Sequence, residues 1–377
     1  MPPPSPPPSN EDDPSIVFGK FAGLTNTVTP ERLDANELWK AENVDLDDRG
    51  MLHRRRGYTQ RISAVAHSLF AAADGTVYGV INNNLCIVNP DFTTQLVRAG
   101  MGPYPLAYAQ VGDTIYFSSE VDSGKIIGGD VSPWGADVDH RWLSPVVHPT
   151  PTLAAVRGKL LGKPPLATVL AYWNGRIYLA NGRQLWATEL YLYDYVDKTR
   201  TFWTFESDIC MIGVVTDGLY IGTADGVWWF TGATIDKMKR QKVMDSPVIP
   251  GSMVDIPAEI ANPPQIGMDA DTPVKIAVSF LTVNGFCVAQ DGGQAYNLTE
   301  AKFVFPSTES AAAMFRRQDG INQYVAVCDS GGTPVTTARI GDHIEAELIR
   351  AVAKDDNTAN KLVVGDTIEA EIVGATP

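Results

Sequence analysis

The densest reactive chemistry in the chain is the cationic run His53-Arg54-Arg55-Arg56-Gly57-Tyr58. Guanidiniums in such a run can hold a phosphate or an acidic partner. The run directly follows Asp45, Asp47 and Asp48, so the opposed charges are able to pair within one chain or between subunits. Ordinary surface charge, a subunit contact and nucleic-acid binding all stay open for it. Asn43, Asp45 and Asp47 also alternate as calcium ligands do. A calcium loop then requires glycine at its sixth position and a bidentate glutamate at its twelfth. Asp48 and Arg54 stand there instead, and a cation at the twelfth position repels the metal.

Other chemical patterns fail on spacing. Gly158-Lys159-Leu160-Leu161-Gly162-Lys163-Pro164 is one residue short of a phosphate loop, with proline where the magnesium-binding hydroxyl belongs. Cys86, Cys210, Cys287 and Cys328 form no CxxC pair, so they are expected as small apolar side chains inside strands. His140 and His148, with Asp137 and Asp139, lie in a Pro- and Trp-rich stretch that is expected to be a surface insertion. No histidine falls in a nucleophile–base motif. Thr223-Ala224-Asp225-Gly226-Val227-Trp228 is similar to the Asp box of sialidase-type propellers, but it occurs once and lacks the spacer between aspartate and glycine. The sequence therefore offers no catalytic residue, cofactor or metal set, and the expectation is a protein that is not an enzyme.

The elements around these residues are short and β-rich. The repeats Asp74-Gly75-Thr76-Val77-Tyr78, Gly112-Asp113-Thr114-Ile115-Tyr116, Asn174-Gly175-Arg176-Ile177-Tyr178, Asp217-Gly218-Leu219-Tyr220-Ile221 and Asn284-Gly285-Phe286-Cys287-Val288 each set a turn dipeptide before a strand. Asn-Gly and Asp-Gly suit hairpins because both central positions must tolerate positive φ. Second turns follow at Asn181-Gly182-Arg183, Asp225-Gly226 and Asp291-Gly292-Gly293. The repeats recur at roughly 40 residues, near the length of a propeller blade, except for two longer gaps. Each long gap holds an insertion or an unrecognised blade. The expectation is an all-β fold with a β-propeller-like body of five to seven blades, a sandwich being the competing architecture.

Four regions follow. Residues 1–15 form a proline-rich acidic tail expected to stay extended, 16–60 a docking segment, 61–335 the propeller-like domain and 336–377 a C-terminal extension. In the docking segment, Thr29 before Pro30 is a possible helix start, and Ala35 and Trp39 are spaced to share the inward face of one helical turn. In the extension, Gly341-Asp342-His343-Ile344-Glu345-Ala346-Glu347-Leu348-Ile349 is echoed by Gly365-Asp366-Thr367-Ile368-Glu369-Ala370-Glu371-Ile372-Val373. Apolar and acidic residues alternate in both copies, which favours a β-hairpin, although Ile344, Leu348 and Val352 also fit a helix.

The chain has 377 residues, 44% of them hydrophobic, and carries 30 basic against 44 acidic residues, a net charge of −14. A surface this acidic argues against gripping nucleic acid. No apolar run reaches the roughly 18 residues of a membrane-spanning helix, so no membrane anchor is expected. The N-terminus lacks the basic start and apolar stretch of a secretory signal, so no export is expected.

Phe18-Gly19-Lys20-Phe21-Ala22-Gly23-Leu24-Thr25-Asn26, Thr29-Pro30-Glu31-Arg32-Leu33, Ala41-Glu42-Asn43-Val44-Asp45-Leu46-Asp47-Asp48-Arg49-Gly50 and Arg54-Arg55-Arg56-Gly57-Tyr58 together form a recognisable block. It resembles the opening of tailed-bacteriophage virion proteins, and among them the tail nozzle (tail-hub) proteins of short-tailed phages, which tend to be longer than this chain. The resemblance implies a structural tail protein forming a homo-oligomeric ring, a hexamer, that continues the DNA conduit below the head-to-tail adaptor. It implies assembly in the host cytoplasm, a place in the virion tail, and partners in the adaptor and other tail proteins. An acidic wall would let DNA pass without specific binding. Phe18, Phe21, Asn43, Asp45, Asp47, Arg54, Arg55 and Arg56 become the candidate subunit-contact residues. The alternatives are a propeller-type glycan-binding or glycan-degrading tail protein and a cellular propeller scaffold.

Overall fold

The computed structural model describes residues 20–47, 49–55, 57, 59–135, 159–232, 235–256, 277–300, 302–318 and 321–329, and the strands His343–Glu347 and Thr367–Glu371. These residues are all-β, apart from the 3-10 turns Pro30–Arg32 and Ile235–Lys237. None of their helices is long and apolar enough to cross a membrane. The chain divides into two compact units, Met1–Cys328 and Asp329–Pro377.

Five antiparallel sheets, four of four strands and one of six, follow one another along the first unit. Sheet I contains Ala66–Ala71, Val77–Ile81, Asn84–Val88 and Thr94–Arg98. Sheet II contains Ala107–Val111, Thr114–Ser118, Ser123–Ile127 and Asp130–Pro133. Sheet III contains Val169–Trp173, Arg176–Asn181, Gln184–Glu189 and Leu192–Asp197, with Leu161–Gly162 and Phe202–Thr204 added. Sheet IV contains Ile209–Val215, Gly218–Thr223, Gly226–Thr231 and Lys239–Met244. Sheet V contains Val254–Ile256, Ala277–Thr282, Gly285–Gln290 and Gln294–Asn297.

The turn chemistry explains most of these hairpins. Asn174 and Gly175 take φ of 48° and 74°, the paired positive values that a two-residue hairpin turn demands. Asn82 and Asn83 do the same in sheet I, at 48° and 62°, without any glycine to advertise the turn. Two repeats depart from expectation. In sheet IV, Val215 pairs with Gly218, so the turn is Thr216-Asp217 and the glycine opens the strand. A Cβ on Gly218 would lie 2.8 Å from the Phe230 carbonyl, so close packing explains this glycine. The fifth repeat is out of phase: Asn284-Gly285 joins the second and third strands of its sheet, whereas the first four repeats join first and second strands. Its true counterpart is Asp225-Gly226, because Thr282 and Thr223 place their hydroxyls 3.2 and 2.9 Å from the Gly285 and Gly226 carbonyls. The two long gaps contain 136–158 and 257–276, which lie outside the described residues. Asp137, Asp139, His140 and His148 therefore lie outside them too.

Successive sheets share apolar cores. Val80 and Leu85 meet Phe117 and Ile126 between sheets I and II. Tyr116 and Trp134 meet Leu170 and Leu179 between II and III. Leu185 and Ala187 meet Ile212, Leu219 and Phe230 between III and IV, and Val215 and Tyr220 meet Val278 and Phe280 between IV and V. The alternation that turns one face of each strand inward thus stacks the sheets in chain order. All four cysteines are free and lie in strands, but Cys328 is exposed, unlike the buried Cys86 and Cys287. In the second unit, His343–Glu347 pairs antiparallel with Thr367–Glu371, which selects the strand reading of the C-terminal repeat over the helical one.

Candidate functional site

The docking segment lies outside the five sheets. It folds on itself through the parallel pair Gly23–Leu24 with Glu37–Leu38 and the hairpin Val44–Leu46 with Leu52–Arg54. The helical turn that begins after Thr29 ends at Arg32, and Trp39 is 41% exposed, so the inward face expected for Ala35 and Trp39 is not formed. Proline fixes the first residue of that turn, but the chain must straighten by Glu37 to pair with Gly23.

The acidic residues of the segment are spent on local geometry. Asp47 Oδ1 accepts the backbone N–H groups of Arg49 and Met51 at 2.9 and 2.8 Å, closing the hairpin loop, and Oδ2 lies 2.9 Å from His53 Nε2. Phe21 joins this loop through its N–H, which donates to the Gly50 carbonyl at 2.7 Å. Asn43 takes the left-handed φ of 52°, and its carbonyl accepts the Arg55 N–H at 2.7 Å. Arg54 stands opposite Val44 and is exposed. Phe18, Asp48 and Arg56 lie outside the described residues.

Asp45 has the farthest reach. Its Oδ1 accepts Arg55 Nε at 2.9 Å, and its Oδ2 accepts a guanidinium N–H of Arg316 at 3.0 Å. The Asp45 and Arg316 side chains are 10% and 17% exposed. Arg316 belongs to the hairpin Ser310–Gln318 and Ile321–Asp329, which follows sheet V. A second tie runs parallel: the Asn26 side chain accepts from Val304 N–H at 2.6 Å and donates to its carbonyl at 3.0 Å, while Lys302 reaches Glu37 at 3.3 Å. The start of the unit is thereby clasped to its end. Of the opposed charges seen in the sequence, Asp45 meets Arg55 and Asp47 meets His53 within the chain, and both Asp45 oxygens that a calcium ion would need face guanidiniums.

Burial pushes the Asp45 carboxyl up, but hydrogen bonds from Arg55, Arg316 and Gln323 outweigh it and hold the group below its ordinary value of 3.8. A carboxylate lowered on folding stabilises the clasp above its unfolded pKa, and that contribution disappears as pH falls through the lower folded value. Limited proteolysis across pH will show the docking segment becoming cleavable below 3.8, before the sheets lose their near-ultraviolet signal. In Asp45→Asn that acid step will be smaller, with Glu37 and Asp47, also held below their ordinary values, supplying the remainder. A step of equal size in the variant would rule out Asp45 as its origin.

The turns of neighbouring sheets meet at one rim. Ala73 N–H donates to Gln110 at 2.9 Å, Trp173 Nε1 to the Thr216 carbonyl at 3.4 Å, and Thr216 N–H to Asp291 at 2.7 Å. Asp74, Asp113, Asp217 and Asp291 all belong to these turns. The Asp-box-like turn is a structural lock: the hydroxyls of Ser207 and Thr223 both bind Asp225 and hold its carboxyl below the ordinary range.

Between sheets III and IV the rim opens into a cleft of about 260 Å³. Trp173 and Tyr178 form its aromatic side, and burial pushes the Tyr178 hydroxyl up to about 12, so it stays neutral. Lys159 Nζ pairs with the buried Glu189 carboxylate at 2.6 Å. The buried Asp197 carboxylate accepts the Thr199 N–H and hydroxyl at 3.0 and 2.7 Å. Arg176 donates to the Thr188 carbonyl, and Arg200 completes the lining. Sequence reading missed this cleft and Arg316, because neither belongs to a local motif. Among the described residues no cluster of His, Cys, Asp and Glu could hold a metal ion.

No family model and no curated protein matches the chain. Among solved structures it is similar to the extracellular domain of the one-component system BT4673 from B. thetaiotaomicron, with a TM-score of 0.44 and 11% identity over 77% of this chain and 33% of that one. It thus spans about a third of that protein's length. It is also similar to a chain of the Mitotic Checkpoint Complex (TM-score 0.41, 10% identity, 75% of this chain and 82% of that one). A third is XC5397, a gluconolactonase from Xanthomonas campestris (TM-score 0.38, 9% identity, 68% and 80%).

Proposed function

We propose that the protein is a structural component of a bacteriophage tail, a nozzle or hub subunit that forms a homo-oligomeric ring and continues the DNA conduit below the head-to-tail adaptor. In this reading the five stacked sheets are blades of a propeller-like body, and the docking segment that resembles the opening of phage virion proteins joins neighbours or meets the adaptor. The observation that carries the reading is the surface of that segment. Leu24, Val28, Trp39 and Met51 are all among the exposed large hydrophobics, on a piece of chain already anchored to its own body. A held strap with apolar side chains turned outward is suited to burial against another protein. The rim aspartates suit a passage for DNA, since fixed negative charge repels phosphates.

The intrachain pairing of Arg55 refines the contact candidates. Arg55 and Asp45 serve the clasp first, which leaves Arg54 and the apolar side chains to face a neighbour. Electron microscopy and native mass measurement of the full chain will show rings, and Trp39→Asp with Met51→Asp will abolish them without moving thermal unfolding. A chain that stays monomeric at every concentration and is absent from phage particles would overturn the reading.

A further inference from the structure

We propose that the cleft between sheets III and IV binds a single carboxylated sugar unit, with its ring against Trp173 and its carboxylate held by Arg176 and Arg200. This goes beyond the ring reading and does not depend on it. Lys159, Arg176 and Arg200 set three cations against Glu189 and Asp197, a local excess of positive charge in a chain whose net charge is −14. The partners of these groups decide what remains for a ligand. Lys159 is spent on Glu189, and Asp197 is spent on the turn through Thr199. Arg176 gives one N–H to Thr188, keeping the rest of its fork. Arg200 is exposed, and its guanidinium has no partner among the described residues. Two guanidiniums with free donors match a carboxylate, which arginine binds in bidentate fashion.

Size and charge narrow the ligand further. A cleft of about 260 Å³ sits just below the usual range for small-molecule sites, room for one sugar ring rather than an oligosaccharide. The adjoining basin shares Trp173, Asn174 and Gly232 with it and is lined also by Thr216, Asp217 and Thr231. A phosphate is disfavoured, because its second negative charge would meet the Glu189 and Asp197 carboxylates that also line the cleft, whereas a carboxylate brings only one. Aromatic side chains offer the apolar face of a sugar ring a flat surface, and Trp173 is kept in place by its bond to the Thr216 carbonyl.

The full-length protein is titrated with glucuronate, glucose and glucose 6-phosphate, followed by tryptophan fluorescence and calorimetry. Glucuronate will bind saturably with a Kd on the order of 1 mM or tighter. Glucose will bind at least about tenfold more weakly, and added salt will weaken glucuronate alone. Arg200→Ala will lose about tenfold or more in glucuronate affinity while its thermal unfolding stays unchanged, since the guanidinium holds nothing in the fold. Trp173→Leu will weaken glucuronate and glucose alike. The proposal is overturned if glucuronate does not saturate, if glucose binds as well, if glucose 6-phosphate binds more tightly, or if Arg200→Ala matches the parent chain. Ring formation is measured on the same samples, so loss of the sugar site and loss of assembly are read separately.

Discussion

Replacing Phe230 with alanine will lower the unfolding free energy by about 3–5 kcal/mol, the range for deleting a buried aromatic ring from a core that cannot collapse around the gap. Phe230 is fully buried and sits in the cluster that joins sheets III and IV. The Trp203 ring meets it edge-on at 4.7 Å, so that contact goes as well. Its neighbours Leu185, Ile212 and Leu219 come from strands of two different sheets, each held by its own ladder, which prevents them from moving in together. Phe230→Leu keeps most of the volume and will cost less than about half as much. Urea denaturation measures both, with the slope unchanged if the unfolded state is unaffected. A loss below about 1 kcal/mol for the alanine variant would mean that sheets III and IV do not share this core.

Removal of the Asp45 carboxylate is expected to free the docking segment without unfolding the sheets. In Asp45→Ala the mostly buried Arg316 and the adjacent Arg55 lose their common acceptor and face each other. Arg55 is 39% exposed, so water screens its half of the interaction, and most of the effect comes from Arg316. Hydrogen bonds between charged groups contribute about 1.5–3 kcal/mol each, so the local opening equilibrium will shift by ~2 kcal/mol. Trypsin will then cleave the segment roughly 30-fold faster, because cutting follows the population of the open form. The Asn26 and Lys302 ties remain, which keeps the shift finite. Arg316→Met will produce a similar rate, and combining it with Asp45→Ala will add little, as expected for one shared interaction. Unchanged cleavage in Asp45→Ala would show that the clasp does not hold the segment down. Ring formation measured on the same variants tests whether a fixed strap is needed for assembly.

What local chemistry controls was legible in the residues themselves. Alternating β-branched and polar positions define strands, and dipeptides such as Asn174-Gly175 define hairpins, because both depend on backbone preferences within a few residues. The all-β class, three of the five hairpin repeats in their expected place and the pairing of the C-terminal copies follow from that. Register is less local. A turn shifted by one residue at Thr216-Asp217, and a fifth repeat that occupies the second turn of its sheet, depend on what packs against Gly218 and on the threonine hydroxyls that lock Gly226 and Gly285. The acidic and cationic runs of the docking segment announced that charges would pair, but not that Asp45 would also choose Arg316, 271 positions away. Nor does any stretch of chain contain the cleft, whose lining is drawn from sheet III, the turns around it and the connection between the third and fourth strands of sheet IV. Short-range order is encoded in neighbours along the chain. Sites made by distant segments exist only once the stacked sheets have brought those segments together.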